Sequence, residues 1–174
     1  MKKEINLTLT LPEPRHEAEA LAYRREFIDR GETAIQGGGG LFAAENYESW
    51  LETITLAMYS PRPGWVRATT YFAIDGERII GTIQIRHTLN DSLKKIGGHI
   101  GYSIRPSERR KGYGAYMLSL TLEKCRLLGI EKALVTCDEN NVASAKTILK
   151  NGGVLENEVK EPDGTVVKRY WINL

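Results

Sequence analysis

The chain has 174 residues, the length of one domain with its own hydrophobic core, and we predict a single domain over residues 1–174. Lysine and arginine number 24 against 22 aspartates and glutamates, and a net charge of +2 indicates neither a nucleic-acid partner nor a membrane surface. Cys125 and Cys137 have no metal-ligand spacing, so we expect no metal and no disulfide framework. The sequence has no apolar leader and no membrane-spanning stretch, which favours a cytoplasmic protein.

Hydrophobic periodicity, taken in chain order, predicts an alternation of strands and helices. The predicted strands lie at residues 5–11, 66–74, 78–89, 99–105, 133–135, 154–159 and 166–172. The predicted helices lie at residues 15–30, 46–59, 112–128 and 141–150. Asp75-Gly76 is a hairpin-turn signal, and the polar residues 90–98 predict a loop. The order β-α-α-β-β-β-α-β-α-β-β indicates an α/β domain with a mixed sheet and helices on its faces.

The most informative segment joins a strand to a helix and has the sequence Arg109-Arg110-Lys111-Gly112-Tyr113-Gly114. Glycines let the backbone approach a ligand closely, and the free N–H groups of a first helical turn attract an anion. Glycine costs about 1 kcal/mol relative to alanine inside a helix, so helix stability alone does not favour two of them there. The segment therefore predicts a phosphate cradle, although a solvated basic turn is the alternative. Neither the Walker pattern nor the dinucleotide fingerprint is present.

The run from Ile104 to Ala115, with Pro106 near its start, resembles the acyl-CoA signature of the GNAT superfamily of N-acetyltransferases. The order of elements resembles that fold over nearly the whole chain. The resemblance implies a mixed, mostly antiparallel central sheet with helices on both faces, and acetyl-CoA as co-substrate without a metal.

The resemblance also implies which residues hold the co-substrate. The backbone amides of residues 110–115, including Ala115, would bind the pyrophosphate beside Arg109. The main chain of Ser103 and Ile104 would bind the pantetheine arm where two parallel strands splay apart, the second of them at residues 132–137. Asn141 resembles an asparagine that faces the cofactor in this family, and it is equally a helix N-cap.

The catalytic groups depart from the family pattern. Many members carry a tyrosine seven residues after that asparagine, placed to protonate the departing thiolate, and the position here is Ile148. Ser144 and Cys137 are candidates to lie near the thiol, and Tyr102 is a candidate donor to the acceptor or the intermediate.

A base must take a proton from the amine before it attacks the thioester. His99 is the candidate beside the expected cleft, with an unperturbed pKa near 6.5. The competing interpretation is a strand-edge histidine without a catalytic role. Glu45 and Glu48 are alternatives on the acceptor side.

The four glycines Gly37–Gly40 predict a mobile loop that closes over a ligand, or else a flexible connector. In the family this segment helps to shape the acceptor pocket, which makes Gly39, Phe42 and Tyr47 candidate substrate-binding residues. Nothing in the sequence identifies the acceptor amine, a small molecule or a peptide.

The resulting hypothesis is transfer of an acetyl group from acetyl-CoA to a primary amine by direct attack in a ternary complex, with a strand N–H near Ile104 stabilising the oxyanion. One alternative is a non-catalytic acyl-CoA-binding module that lost its general acid. A nucleic-acid-binding domain using residues 109–111 is disfavoured by the small net charge. A homodimer through the C-terminal hairpin is a further hypothesis, suggested by family habit, and the choice between acetyl and longer acyl donors stays open.

Overall fold

The computed structural model describes residues 5–174, and they form one seven-stranded sheet with helices on both of its faces. The strands are β1 (Thr8–Thr10), β2 (Ala68–Asp75), β3 (Arg78–Arg86), β4 (Ile100–Ile104), β5 (Lys132–Asp138), β6 (Val154–Lys160) and β7 (Val166–Asn173). The helices are α1 (Glu17–Asp29), α2 (Tyr47–Ala57), α3 (Asp91–Lys95), α4 (Tyr113–Leu127) and α5 (Val142–Lys150).

The strands lie in the order β1-β2-β3-β4-β5-β7-β6. Every neighbouring pair is antiparallel except β4 and β5, which are parallel and joined through α4. The mixed, mostly antiparallel sheet predicted from the sequence is thus confirmed.

Two apolar clusters fix the helices to the sheet. The first lies between the sheet and α1 and α2, where Tyr23, Phe27 and Trp50 pack against Phe72 and Ile79. The second lies on the opposite face, under α4 and α5. It contains Met117, Leu118 and Ile148 together with Ile83 and Ile85. Successive strand residues face opposite sides, and β2 and β3 accordingly contribute to both clusters.

The sequence-based boundaries are wrong in two segments. The strand predicted at residues 5–11 is observed only over Thr8–Thr10. The polar residues 90–98 predict a loop, and they contain the short helix α3. The side chain of Asn90 accepts a hydrogen bond from the N–H of Leu93, and two lysines occupy the last turn. These are ordinary helix start and stop signals on a segment too short to show apolar periodicity.

The functional geometry follows from the parallel strand pair. The register of β4 and β5 contains a single pair, Ile100 opposite Val135. Beyond it the two strands diverge, and the gap opens toward the end of β4 that leads into the first turn of α4.

Candidate active site

The loop before α4 has the backbone geometry of an anion cradle. Arg110 has a φ of 65° and Gly112 a φ of 89°, so two left-handed residues turn the chain immediately before α4 begins at Tyr113. The first-turn N–H groups of a helix have no partner within that helix and carry the positive end of its dipole. Left-handed and right-handed residues in alternation aim successive N–H groups at one point. The loop is therefore suited to bind a phosphate.

The two glycines of the cradle have different functions. A Cβ on Gly112 would meet only Ile5, at an ordinary contact distance of 3.5 Å, so the requirement for glycine there is conformational. A Cβ on Gly114 would lie 3.4 Å from Oγ1 of Thr147, so Gly114 allows α5 to pack closely against α4. Asn151 fixes the same contact, because its amide donates to the carbonyl oxygens of Ala115 and Thr147 at 3.1 and 2.9 Å.

The basic side chains of the loop are largely neutralised. Arg109 forms a two-pronged ion pair with Glu32 at 2.7 and 3.0 Å and also donates to the carbonyl of Ile104. Lys111 pairs with Glu108 at 2.9 Å. Any anion held here would consequently depend on the backbone amides more than on the side-chain charge of these two residues.

Tyr113 belongs to the sheet side of α4. Its hydroxyl donates to the carboxylate of Asp75 at 2.8 Å, and the ring is buried. Of this residue only the backbone N–H is available to the cradle.

The gap between β4 and β5 exposes backbone groups of alternate residues of β4. Arg105 donates its N–H to Ile80 on β3, and the carbonyl of His99 accepts from Arg86 on β3, so odd-numbered residues of β4 pair with β3. The even-numbered residues Tyr102 and Ile104 direct their N–H and C=O groups toward the gap. The main chain of Ser103 faces β3, so of the two residues predicted to bind the pantetheine arm only Ile104 has its backbone toward the gap, and that binding stays a prediction.

Tyr102 and Ser144 meet on the α5 side of the gap. Their hydroxyl oxygens are 2.8 Å apart. Burial raises the pKa of Tyr102 to about 12, so the hydroxyl stays protonated at neutral pH. Burial also raises the pKa of Cys137, which lies beside the same two hydroxyls and is therefore a thiol and not a thiolate.

Asn141 is the N-cap of α5. Its side-chain oxygen accepts from the N–H of Ser144 at 3.1 Å, which is the capping alternative stated above. The oxygen thus caps the helix, and within residues 5–174 the amide nitrogen makes no hydrogen bond.

The geometry argues against His99 as a base. Its Nδ1 accepts from the N–H of Leu134 at 2.9 Å, and its backbone N–H donates to the Leu134 carbonyl at 2.7 Å. Burial, assisted by the nearby charge of Arg86, lowers the pKa of His99 to about 4. The lone pair needed to take a proton is thus used to join β4 to β5, and the role of His99 is structural.

The glycine loop is packed against the sheet, which contradicts the prediction of a free loop. A Cβ on Gly37 would lie 2.1 Å from the carbonyl oxygen of Gly101, and one on Gly39 would lie 2.9 Å from Oγ1 of Thr70. The carbonyl of Gly38 accepts from the indole N–H of Trp50 at 2.9 Å. At Gly37 a side chain would not fit between this loop and β4, whereas Gly40 has open space around it and a left-handed φ of 89°.

Two of the three predicted acceptor residues lie in the apolar cluster under α1 and α2. Tyr47 is buried, and its hydroxyl donates to the carbonyl of Glu13 at 2.7 Å. Phe42 is half-buried and packs against the same cluster. Glu45 and Glu48 are exposed. Of the three predicted residues, only Gly39 lies beside Thr70 and Gln84, on the sheet face that also carries Gly101.

Sequence reasoning missed the polar residues Thr70, Gln84 and Arg86 on the sheet face that carries Gly101. Thr70, Gln84 and Gly101 form one row across β2, β3 and β4, and the Gln84 amide donates to Thr70 at 3.1 Å. Arg86 follows two residues after Gln84 on the same face. The sequence does contain a signal for this face, because Thr82, Gln84 and Arg86 occupy every second position of the isoleucine-rich strand β3.

The sequence matches the family model described as "Acetyltransferase (GNAT) domain" over residues 6–154. The chain therefore belongs to the GNAT acetyltransferase family, a family of acyltransferases, as the resemblance of the cradle predicted. None of the curated protein sequences compared with this chain matches it.

Solved structures support the same fold. A ribosomal-protein α-N-acetyltransferase in complex with coenzyme A is 16% identical with a TM-score of 0.71, covering 98% of this chain and 96% of that one. A microcin self-immunity acetyltransferase in complex with acetyl-CoA and AMP is 17% identical with a TM-score of 0.69, covering 98% and 94%. A GNAT acetyltransferase from Streptococcus pneumoniae is 18% identical with a TM-score of 0.69, covering 97% and 99%.

Two kinds of feature are absent from residues 5–174. No helix in this range has the length and hydropathy that a membrane crossing requires. No group of three or more histidine, cysteine, aspartate or glutamate side chains in the same range is arranged to hold a metal ion.

Proposed function

We propose that this protein transfers an acetyl group from acetyl-CoA to a primary amine by direct attack in a ternary complex. The observation that carries the proposal is the alignment of the cradle before α4 with the gap between β4 and β5. A ligand whose pyrophosphate sits at Gly112 can extend along the gap beside the backbone groups of Tyr102 and the N–H of Ile104, whose carbonyl accepts from Arg109. Acetyl-CoA has this shape, with a charged end and a long amide-containing arm.

The direction of the gap determines where the thioester would lie. The phosphate end is at the C-terminal end of β4, so the arm runs back along the strand toward Gly101 and Tyr102. The N–H of Tyr102 then becomes the candidate oxyanion donor, in place of the N–H near Ile104 expected from the sequence. A donor fixed in a strand needs no reorganisation as negative charge develops on the carbonyl oxygen.

Tyr102 and Ser144 would supply the proton for the departing thiolate. The pair lies on the α5 side of the gap, opposite the face that carries Gly101 and Gln84. The raised pKa of Tyr102 keeps the hydroxyl protonated. This pair compensates for the apolar residue Ile148 at the family's tyrosine position, and Ile148 itself is fully buried.

The acceptor amine would approach from the opposite side of the sheet, past the row of Thr70, Gln84 and Gly101. An amine attacking from this side reaches the carbonyl carbon while the thiolate leaves toward Tyr102. With the Nδ1 of His99 engaged, we assign no side-chain base, and the amine would lose its proton to water at the open end of this surface.

A cysteine-based route is disfavoured by the state of both thiols. Burial raises the pKa of Cys125 to about 12 and raises that of Cys137 as well. Neither is a good nucleophile in the thiol form. Attack by the amine itself needs no covalent enzyme intermediate.

The experiment that tests this function is calorimetric titration of the protein with acetyl-CoA, followed by measurement of amine-dependent release of free thiol. Saturable binding and amine-dependent release are the expected results. Binding without release for any amine would favour the non-catalytic acyl-CoA-binding module. No binding at millimolar acetyl-CoA would overturn both interpretations. The homodimer and the cytoplasmic location stay predictions, which light scattering and cell fractionation would test.

A further inference from the structure

We propose that Arg86 recognises a carboxylate on the acceptor, and that the acceptor is a small amine bearing such a group, an amino acid. This inference rests on the proposed function, because it assigns the substrate class of the same site. Its basis is a half-buried guanidinium that is held next to the expected thioester position.

The position of Arg86 is fixed by the loop before β4. Its Nη1 donates to the carbonyl oxygens of Gly97 and Gly98 at 2.9 and 3.2 Å. Its Nη2 lies 3.4 Å from the Cβ position that Gly101 leaves empty, and the backbone nitrogen of Gly37 lies at the same distance from that point. The guanidinium is therefore oriented by two carbonyls and directed at the residue where β4 and β5 diverge.

Arg86 differs from Arg105 and Arg169 in its charge balance. The side chain of Arg105 is 4% exposed and binds both Glu19 and Glu26, and that of Arg169 is 13% exposed and binds Glu156. Within residues 5–174, no carboxylate lies at ion-pair distance from Arg86. Burial alone lowers the pKa of its guanidinium, with no neighbouring charge to offset the desolvation. An enclosed cation without a counter-ion is stabilised by any anion that reaches it.

Acetyl-CoA itself cannot supply this anion. Its phosphates would lie at the cradle, at the other end of β4. Four residues separate Gly101 from Arg105, which corresponds to about 13 Å along a strand. The anion must therefore arrive with the other substrate.

The donor geometry favours a carboxylate. Arg86 uses Nη1 for the two carbonyls, and within the described part of the chain its Nε and Nη2 have no hydrogen-bond partner. Two parallel N–H groups match the two oxygens of a carboxylate. One guanidinium balances one negative charge, which a single carboxylate supplies. An amine positioned over Gly101 with its carboxylate toward Arg86 would place the nucleophile beside the thioester.

The test compares free amino acids with their matched carboxamides as acceptors. For the wild-type protein we expect a preference for the carboxylate of about tenfold to a hundredfold in kcat/KM, the range of a hydrogen bond to a charged group. Arg86→Gln should remove that preference mainly by raising KM for the amino acid, while the carboxamide and the Kd of acetyl-CoA are unchanged. Arg86→Lys, which keeps the charge and loses the paired donors, should be intermediate. Arg126→Gln, at an exposed position on α4, is the control.

The outcomes separate this inference from the function on which it rests. Equal rates with amino acids and carboxamides, or an equal loss of both in Arg86→Gln, would overturn the role of Arg86 and leave the acetyltransferase intact. Acetylation only of amines without a carboxylate would do the same. Absence of acetyl-CoA binding in the wild-type protein would overturn the function first. If Arg86→Gln fails to fold, the wild-type comparison and Arg86→Lys still decide the question.

Discussion

The hydroxyl oxygens of Tyr102 and Ser144 are 2.8 Å apart, and they join the strand β4 to the helix α5 across the gap in the sheet. The tyrosine that many family members carry on α5 is Ile148 in this chain. The phenol of Tyr102, on β4, thus lies on the side of the gap where the family pattern predicts a tyrosine from α5. The proton donor of the proposed reaction is contributed by a different element.

Replacing Tyr102 by phenylalanine should lower kcat by about a hundredfold, the lower end of what general acid catalysis contributes. The Kd of acetyl-CoA should change little, because the backbone N–H of residue 102 is retained. Steady-state kinetics and calorimetry measure the two quantities. Tyr59→Phe, at a side chain that is 72% exposed, is the matched control. An unchanged kcat in Tyr102→Phe would assign the proton to Ser144 or to water.

A negative charge in the cradle should weaken the binding of acetyl-CoA. Gly112→Asp adds a carboxylate where the phosphates are expected, and we expect the Kd to rise by at least about tenfold, one unfavourable charge contact being worth about 1.4 kcal/mol or more. Titration calorimetry measures this change.

The matched control for the cradle is Gly164→Asp. Gly164 has a φ of 91° in the β6–β7 turn with open space around it, so it carries the same backbone strain without contact to the cradle. Equal weakening in both variants would attribute the effect to strain and contradict the phosphate assignment.

The glycine loop should tolerate alanine at one position and not at another. Gly37 and Gly40 both have left-handed backbone, with φ of 69° and 89°. Alanine at either position carries a conformational cost of about 1 kcal/mol. Only at Gly37 would the new methyl group meet backbone, 2.1 Å from the carbonyl oxygen of Gly101.

Gly37→Ala should therefore lower the free energy of unfolding by several kcal/mol more than Gly40→Ala, of the order seen when close-packed atoms are forced apart. Urea unfolding of the two variants measures the difference. Equal losses would mean that the loop moves away from β4 at little cost, as the sequence-based prediction of a mobile loop requires.

His99 should make the protein less stable as the pH falls. Its pKa in the folded protein is about 4 against 6.5 for the free side chain, so the unfolded state binds the proton first. Stability is then complete above the unfolded pKa and declines between the two values, by about 1.4 kcal/mol per pH unit and on the order of 3 kcal/mol in total. The wild-type protein should also show no titration of His99 in kcat near neutral pH.

His99→Gln removes this titrating group and should flatten the pH dependence of the unfolding free energy over that interval. Urea unfolding at several pH values, with His87→Gln as the control, separates the two histidines. A slope identical to that of the wild-type protein would show that His99 is solvated in the folded state and would restore it as a candidate base.

The anion cradle could be predicted from sequence because its determinants are local. Gly112, the helix start at Tyr113 and Pro106 lie within a few residues of one another, and their backbone preferences hold in any surroundings. The helices and strands with strong periodicity could be predicted for a similar reason. In each of them, apolar residues recur in the sequence at the interval at which side chains of that element face the core. The short helix after Asn90 was missed because five residues show no period.

The contacts of His99, Tyr102, Gly37 and Arg86 became visible only once the sheet was assembled. His99 is held by Leu134, and Tyr102 meets Ser144, in each case through partners more than thirty positions away along the chain. Which face of β4 a side chain occupies, and which backbone groups remain free, depends on its register with β3 and β5. A one-residue slip would exchange the two faces. Local backbone chemistry therefore predicts the class of ligand from the sequence alone, whereas the proposed acceptor surface and proton donor depend on distant residues that the sheet brings together in one register.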